Sequence, residues 1–234
     1  MIRVNSPRPR ICVSVAPRNA EELRSLLKRA DDSLSDMVEL RLDGLSGEEL
    51  ELSRAFHEAE SRKPIILTYS TDPAIRLVGD GVGIRLLELL APYASHIDAG
   101  AYYDSLELRK INKDAYVVIS RHFDRPLKID EGEAVLNELS SQGADIVKIV
   151  YRADDIEDNL VALHLSRKFG LKKVIFCMGG AGKISRVLCP LFGSEWTYAS
   201  LGSGLETAPG QVEVQSLIRF YRSLLGGKQG GVRG

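Results

Sequence analysis

The sequence has no excess of charge of either sign and no long apolar run. Its 31 Lys and Arg residues nearly cancel its 32 Asp and Glu residues, so no overall field attracts nucleic acid or an anionic membrane. No run of about 18 apolar residues is present to span a bilayer, and the first ten residues contain no apolar signal segment. We therefore expect a soluble, cytoplasmic protein that binds a small molecule, without a nucleic-acid or membrane partner.

Cysteine is also scarce. Cys12, Cys177 and Cys189 are widely spaced, lie in or beside apolar segments, and form no CxxC motif. No histidine stands at a ligand spacing from them, which argues against a zinc site. The sequence predicts three reduced thiols in the core and no metal centre.

The sequence does contain a regular alternation of short β-branched segments and helical patterns. The predicted strands cover residues 11–15, 37–42, 64–69, 96–99, 115–120, 145–150, 173–177 and 196–199. The predicted helices cover residues 19–28, 47–60, 84–90, 105–111, 132–139, 156–169, 184–191 and 211–225. Eight such pairs, with no change in composition between them, predict a single (β/α)8 barrel over residues 1–225, followed by a disordered glycine-rich tail over residues 226–234. Ligands of such barrels bind at the carboxyl ends of the strands.

An unusual lysine lies in the sixth predicted strand, where Lys148 interrupts the apolar sequence ADIVKIVY. β-Branched residues occupy both faces of this strand, so neither face is suited to water. Apolar burial would keep the amine uncharged, and a neutral amine can attack a ketone or an aldehyde to form an imine. The alternative is structural: the side chain reaches solvent from the strand end, or it pairs with a nearby Asp or Glu. The strand pattern alone leaves both interpretations open.

Polar residues on the second and fifth strands have the spacing of a shared face. Glu39 and Arg41 are two residues apart, so they can neutralise each other and also hydrogen-bond a polyhydroxylated ligand. A purely structural ion pair is the alternative. His122 stands two residues beyond Ser120, where an imidazole can take up and return protons near neutral pH.

Two glycine-rich loops follow the seventh and eighth strands. The first does not match a P-loop, because Cys177 and Ile184 stand where that motif needs glycine and a hydroxyl residue. It leads into a helix whose first turn offers amide donors, with Arg186 placed to bind a carboxylate or phosphate. In the second loop, Gln211 either reaches a ligand hydroxyl or is simply exposed to solvent.

In their order along the chain, these segments resemble type I 3-dehydroquinate dehydratase, the Schiff-base enzyme family of the shikimate pathway. The resemblance covers nearly the whole barrel and runs through ICVSVA, VELRLDG, PIILTY, SRHFD, DIVKI, GKISRV and TAPGQ. It implies that Lys148 forms an imine with 3-dehydroquinate and that His122 transfers the protons that lead to 3-dehydroshikimate. It implies no metal or organic cofactor, and an assembly that is often dimeric. The substrate contacts that it implies are Ser14, Glu39, Arg41, Arg186, Thr207 and Gln211.

Three positions depart from the family pattern. Ser70 stands where an arginine commonly follows the third strand, and we expect Arg76, in the same loop, to replace it. Thr207 replaces the usual serine and keeps the hydroxyl. Gly100 stands where an acidic residue often ends the fourth strand, so the sequence predicts that this carboxylate is missing.

Two other functions fit parts of the same pattern. A class I aldolase would use the lysine on a phosphorylated sugar, with the two glycine loops holding the phosphate. A barrel that binds a metabolite without converting it needs neither Lys148 nor His122, and both are present. Arg186 within the ISR segment, together with TAPGQ, favours the dehydratase.

Overall fold

The computed structural model describes residues 8–69, 80–100, 105–168 and 170–226. Its strands are β1 (Ile11–Val15), β2 (Met37–Arg41), β3 (Ile65–Thr68), β4 (His96–Asp98), β5 (Tyr116–Phe123), β6 (Ile146–Arg152), β7 (Lys173–Met178), β8 (Thr197–Ser200) and β9 (Val212–Glu213). Its helices are α1 (Ala20–Asp32), α2 (Glu49–Glu58), α3 (Asp80–Leu90), α4 (Ser105–Ile111), α5 (Ile129–Ser141), α6 (Asp158–Ser166), α7 (Lys183–Leu188) and α8 (Val214–Leu225). Short 3-10 helices follow α3 and α7 at Ala91–Tyr93 and Cys189–Phe192.

The strands form one parallel sheet in the order β7-β6-β5-β4-β3-β2-β1-β8-β9. Strands that are consecutive in the chain lie side by side, as expected when each crossover helix returns the chain in the same rotational sense. The sheet curls so that β1 pairs with both β2 and β8. The prediction of a (β/α)8 barrel is confirmed. Among these strands, backbone pairing does not join β7 to β8.

The interior of the sheet is divided into an apolar layer and a polar layer. Alternate residues of each strand point to the same side. Near the amino ends, the inward side chains form an apolar cluster that includes Cys12, Ile66, Val118, Val174 and Trp196. One or two residues further along the strands, the buried side chains become polar. The apolar layer therefore fills the base of the barrel and leaves the polar layer at the carboxyl ends.

Local signals explain why the helices begin where they do. The side chain of Asn19 accepts a hydrogen bond of 2.9 Å from the backbone N–H of Glu22, which caps α1. Leu23 and Leu27 lie one turn apart and are buried against the sheet. This arrangement agrees with the helix start and apolar face expected from the sequence.

Some boundaries differ from the prediction. Strand β5 continues through His122 to Phe123, because its pairing with β6 extends as far as Phe123 opposite Tyr151. His122 therefore lies within the strand and not in the loop after it. Helix α8 begins at Val214 and not at Gln211, because Val212–Glu213 first pairs with β8.

Of the remaining expectations from composition, the one about the cysteines is confirmed. All three cysteines are buried free thiols, as predicted. Within the described ranges, no helix has both the length and the apolar content needed to cross a bilayer, and no group of three or more His, Cys, Asp or Glu residues is arranged to hold a metal ion. The expected disordered tail falls almost entirely outside the described residues, which end at position 226.

Candidate active site

The polar layer is centred on Lys148, whose amine lies between two carboxylates. Its Nζ is 3.0 Å from Oδ2 of Asp98 on β4 and 3.2 Å from Oε1 of Glu39 on β2. All three side chains belong to buried residues, each 4 % exposed or less. Lys148 is thus held from two sides of the barrel by opposite charges.

This environment overturns the expectation of an uncharged amine. Burial by itself lowers the pKa of Lys148, but the negative charges of Asp98 and Glu39 outweigh burial and raise it well above its ordinary value. Burial likewise raises the pKa of Glu39, whereas the charges of Lys148 and Arg41 bring it down to about 2. The resting site therefore contains an ammonium ion between carboxylates, which is the paired lysine that the strand pattern had left as the alternative.

Glu39 is also bound to hydroxyl groups on both neighbouring strands. Ser14 on β1 donates a short hydrogen bond to Oε2, and Thr68 on β3 donates one of 2.9 Å to Oε1. The chain of contacts continues from Ser14, which accepts a hydrogen bond of 2.8 Å from Oγ1 of Thr207. Thr207 in turn accepts one of 2.9 Å from Nε2 of Gln211. Four of the residues predicted for the site thus form one continuous network.

Asp98 is a residue of the site that the sequence pattern did not predict. Its Oδ1 accepts hydrogen bonds from Oγ of Ser120 at 2.6 Å and from the backbone N–H of Gly100 at 3.2 Å. Gly100 has a φ of 77°, a left-handed backbone conformation that favours glycine. The carboxylate that we expected to be missing from the fourth strand is present two residues earlier. Its position two residues after His96, on an otherwise apolar strand, was the signal that could have revealed it.

Arg41 is paired with Asp43, a second residue that the sequence analysis did not assign. Nε and Nη2 of Arg41 lie 2.8 Å and 2.6 Å from Oδ2 of Asp43. Glu39 and Arg41 were expected to neutralise each other. Instead, Arg41 forms an ion pair with Asp43, and Glu39 forms one with Lys148. The charge of Arg41 still acts on Glu39, since it contributes to the lowered pKa of that carboxyl group.

His122 lies on the strand next to Lys148. Ser120 is directly opposite Lys148 in the pairing of β5 with β6, and His122 is the next residue of β5 on the same face. Burial, followed by the positive charge of Lys148, lowers the pKa of His122 to about 4. The imidazole is thus uncharged at neutral pH and can accept a proton.

Arg186, on α7, is a buried cation without a carboxylate partner among the described residues. It is 1 % exposed, its guanidinium lies 4.4 Å from the centre of the Phe176 ring, and its Nε has no hydrogen-bond partner. The one hydrogen bond of its Nη2 within the described structure is a long one, 3.5 Å, to the carbonyl of Pro209. Burial lowers its pKa to about 10. Such a group is available to bind an anion.

A cavity of about 410 Å³ connects these groups. The predicted site residues that line it are Glu39, Arg41, His122, Lys148, Arg186, Thr207 and Gln211. Ser14 lies behind them and contacts Glu39 and Thr207. The structure therefore gathers all eight predicted residues at the carboxyl ends of the strands. Ser70 and Arg76 lie outside the described residues, so the expected replacement of the loop arginine remains a prediction.

Comparison with known proteins agrees with this geometry. The model of the family described as type I 3-dehydroquinase matches residues 11–228. The chain belongs to the type I 3-dehydroquinase family. A 3-dehydroquinate dehydratase of Dehalococcoides mccartyi is 36 % identical over 119 residues, which span 50 % of this chain and 54 % of that protein. The chain thus matches about half the length of that relative.

Two further relatives match over nearly their full length. A 3-dehydroquinate dehydratase of Coxiella burnetii is 28 % identical over 229 residues, covering 92 % of this chain and 93 % of that protein. The crystal structure of the 3-dehydroquinate dehydratase from Aquifex aeolicus has a TM-score of 0.76 and 29 % identity, and it covers 92 % of this chain and 98 % of that chain. The family assignment therefore extends over the whole barrel.

In this member of the type I 3-dehydroquinase family, the loops that follow β7 and β8 touch through their backbones. The N–H of Gly179 donates a hydrogen bond of 3.2 Å to the carbonyl of Pro209. A Cβ on Gly210 would clash with the carbonyl oxygen of Gly179, and the φ of Gly210 is 79°. Glycine is therefore required at position 210 for both reasons.

Proposed function

We propose that this protein is a 3-dehydroquinate dehydratase of the shikimate pathway, acting through an imine at Lys148. The observation that supports this most strongly is that one cavity is lined by an amine, an imidazole and a buried guanidinium, those of Lys148, His122 and Arg186. These are the groups needed to activate a ketone, move a proton and bind a carboxylate. Relatives that carry the name 3-dehydroquinate dehydratase support the choice of substrate.

The first step joins Lys148 to the substrate ketone. The neutral imidazole of His122 takes one proton from the ammonium ion, and the freed amine attacks the carbonyl carbon. His122 gives its proton to the oxygen, a second proton passes to the oxygen from the nitrogen, and the carbon–oxygen bond breaks to release water. The products are an iminium ion and one water molecule, so the nitrogen has a single positive charge before and after the step.

The second step removes water from the ring. His122 takes a proton from the carbon next to the iminium. The electrons of that C–H bond form a C=C bond to the iminium carbon, and the C=N π electrons move onto the nitrogen to give an enamine. The nitrogen lone pair then re-forms the C=N bond, and the enamine C=C electrons form the new ring C=C bond as the hydroxyl on the next carbon leaves, taking the proton back from His122. Water finally adds to the iminium carbon, which releases the conjugated ketone and restores Lys148.

The other residues of the site position the substrate. Arg186 would bind its carboxylate with two parallel hydrogen bonds, which also compensates a buried guanidinium that has no carboxylate partner among the described residues. Glu39, Arg41, Thr207 and Gln211 would contact ring hydroxyls, and Ser14 supports Glu39 and Thr207 from behind. Binding at two ends of the ring fixes which hydrogen faces His122.

Turnover and trapping with 3-dehydroquinate test this proposal. We expect an ultraviolet absorbance from the conjugated ketone product, and after addition of borohydride a reduced adduct on the peptide that contains Lys148. Borohydride without substrate is the control. If neither the absorbance nor the adduct is formed, the proposal is wrong. If a phosphorylated ketose forms the adduct and releases an aldehyde, the protein is instead a class I aldolase.

Replacing Arg186 with methionine should weaken substrate binding much more than it slows the chemistry. A charge-assisted hydrogen-bond pair contributes about 1.5–3 kcal/mol, so we expect the KM for 3-dehydroquinate to rise about 10- to 150-fold. Because the variant removes a buried charge that has no carboxylate partner within the described structure, it should remain folded. Steady-state kinetics measures the KM, and Arg222→Met, at an exposed position of α8, is the matched control. An unchanged KM would show that the carboxylate binds elsewhere.

A further inference from the structure

Asp98 and Glu39 bind the same nitrogen but differ in their access to the cavity. Glu39 lines the cavity beside Lys148, whereas Asp98 is 1 % exposed and is not part of the cavity wall. Both carboxylates also accept hydrogen bonds from hydroxyl groups on neighbouring strands, Ser14 and Thr68 for Glu39 and Ser120 for Asp98. A ligand can therefore reach one of the two carboxylates, and the other is enclosed by protein.

The covalent chemistry of imine formation separates the roles of the two carboxylates. An ammonium group has three N–H donors, which is enough to serve Asp98 and Glu39 together. The iminium formed from it has the same single positive charge but only one N–H. When water leaves, at least one carboxylate must therefore lose its hydrogen bond to the nitrogen.

We propose that Asp98 is the permanent counter-ion and positioning residue of the Lys148 nitrogen, keeping the remaining N–H through the iminium state while Glu39 turns to the substrate. This inference rests on the proposed function, which it deepens by assigning the two carboxylates different tasks. Asp98 lies closer to Nζ of Lys148 than Glu39 does, at 3.0 Å against 3.2 Å. Because Asp98 does not line the cavity, it could not form a hydrogen bond to the substrate in place of the one to the nitrogen.

The other contacts of Asp98 fit this task. Ser120 and the backbone N–H of Gly100 both donate to Oδ1, which leaves Oδ2 for Lys148. Because Ser120 lies opposite Lys148 in the pairing of β5 with β6, Asp98 joins three adjacent strands around the reacting nitrogen. The carboxylate is thus fixed in position by groups that do not take part in the chemistry.

The protonation of Lys148 depends on charged and titratable groups from five strands around it. Asp98 and Glu39 raise its pKa, and the Tyr198 ring, with its centre 4.6 Å from Nζ, faces it from β8. His122 on β5 and Cys12 on β1 are coupled to its charge. Replacing Asp98 while the other groups stay in place therefore measures how much Asp98 contributes to keeping Lys148 protonated.

Asp98→Asn, compared with Ser120→Ala, tests the inference. Asparagine keeps the shape of the side chain and removes the charge, whereas the Ser120 variant keeps the charge and removes one hydrogen bond. Competitive labelling with acetic anhydride, read out by peptide mass, reports the fraction of free amine at Lys148 relative to the exposed Lys113 and needs no substrate. We expect the pH at which Lys148 becomes reactive to fall by at least one unit in Asp98→Asn and to stay unchanged in Ser120→Ala.

The steady-state kinetics of Asp98→Asn should also differ from those of the wild type. The kcat for 3-dehydroquinate should fall at least about 100-fold in Asp98→Asn with a smaller effect on KM, because an iminium without its counter-ion is destabilised. A merely structural role would lower kcat without moving the labelling profile. Coincident labelling profiles for Asp98→Asn and the wild type would overturn the inference. A shifted profile, combined with absence of turnover by the wild type, would overturn the proposed function and leave Asp98 as the counter-ion of the ammonium.

A structure of the borohydride-reduced wild-type adduct tests the same assignment without any variant. We expect the secondary amine to remain within hydrogen-bond distance of Oδ2 of Asp98, with the Glu39 carboxylate directed at the ligand. A nitrogen held by Glu39 and separated from Asp98 would reverse the two roles and overturn the proposal.

Discussion

Replacing Lys148 with alanine should abolish formation of the reduced adduct and lower kcat for 3-dehydroquinate at least about 10⁴-fold, the scale expected when a nucleophile is removed. Without the amine there is no iminium to accept the electrons of the breaking C–H bond. Absorbance of the conjugated ketone measures the turnover, and peptide mass after borohydride treatment measures the adduct.

The alanine variant also leaves two buried carboxylates, those of Glu39 and Asp98, without the cation that they share. Breaking a buried ion pair costs about 3–5 kcal/mol of folding stability, so lost activity alone would not distinguish chemistry from unfolding. Lys148→Arg is therefore the matched control, because it keeps the positive charge but cannot form the imine. Circular dichroism should show a folded protein, and turnover by either variant at the wild-type rate would exclude Lys148 as the nucleophile.

Replacing His122 with alanine should separate imine formation from dehydration. We expect kcat to fall about 10²- to 10⁴-fold, as for the loss of a general acid–base group. Lys148 should still form an adduct with the substrate, but more slowly than in the wild type, because water must then accept the ammonium proton that His122 would take. The adduct should accumulate because proton removal from the ring becomes the slow step. Intact mass measured after borohydride addition at successive times follows its formation, and absorbance follows product release.

His164→Ala provides the comparison for this variant, since His164 lies on an exposed face of α6 and does not line the cavity. That variant should behave like the wild type in both measurements. Loss of the adduct together with turnover in His122→Ala would show that the imidazole is already required for imine formation. Wild-type turnover by His122→Ala would remove it from the mechanism.

The sequence predicted the barrel because the alternation of strands and helices is a local property, repeated eight times. The sequence did not predict the boundaries of elements whose ends depend on pairing with another strand. Strand β5 extends to Phe123 because β6 continues opposite it, and residues 212–213 form a strand because β8 offers a free edge. Neither partner can be read from the segment itself, so these boundaries were placed wrongly.

The residues of the site could be predicted as a set, but the state of the central lysine could not. Lys148 is separated from Glu39 by 109 residues and from Asp98 by 50, and only closure of the barrel places both carboxylates on one amine. The local pattern shows an apolar strand, which favours a neutral lysine but leaves open a lysine paired with a carboxylate. The contacts across the barrel reverse that prediction, because the attraction of two buried carboxylates exceeds the effect of desolvation.

The backbone contact between Gly179 and the segment at Pro209 and Gly210 links the two loops at the mouth of the barrel into one mechanical unit. Arg186 stands shortly after the first loop, and Gln211 directly follows the second. Displacement of either loop would carry the guanidinium and the amide together. Arg186 would then bind the carboxylate at the same time as Gln211 binds a ring hydroxyl. The product would be released only when both contacts break together.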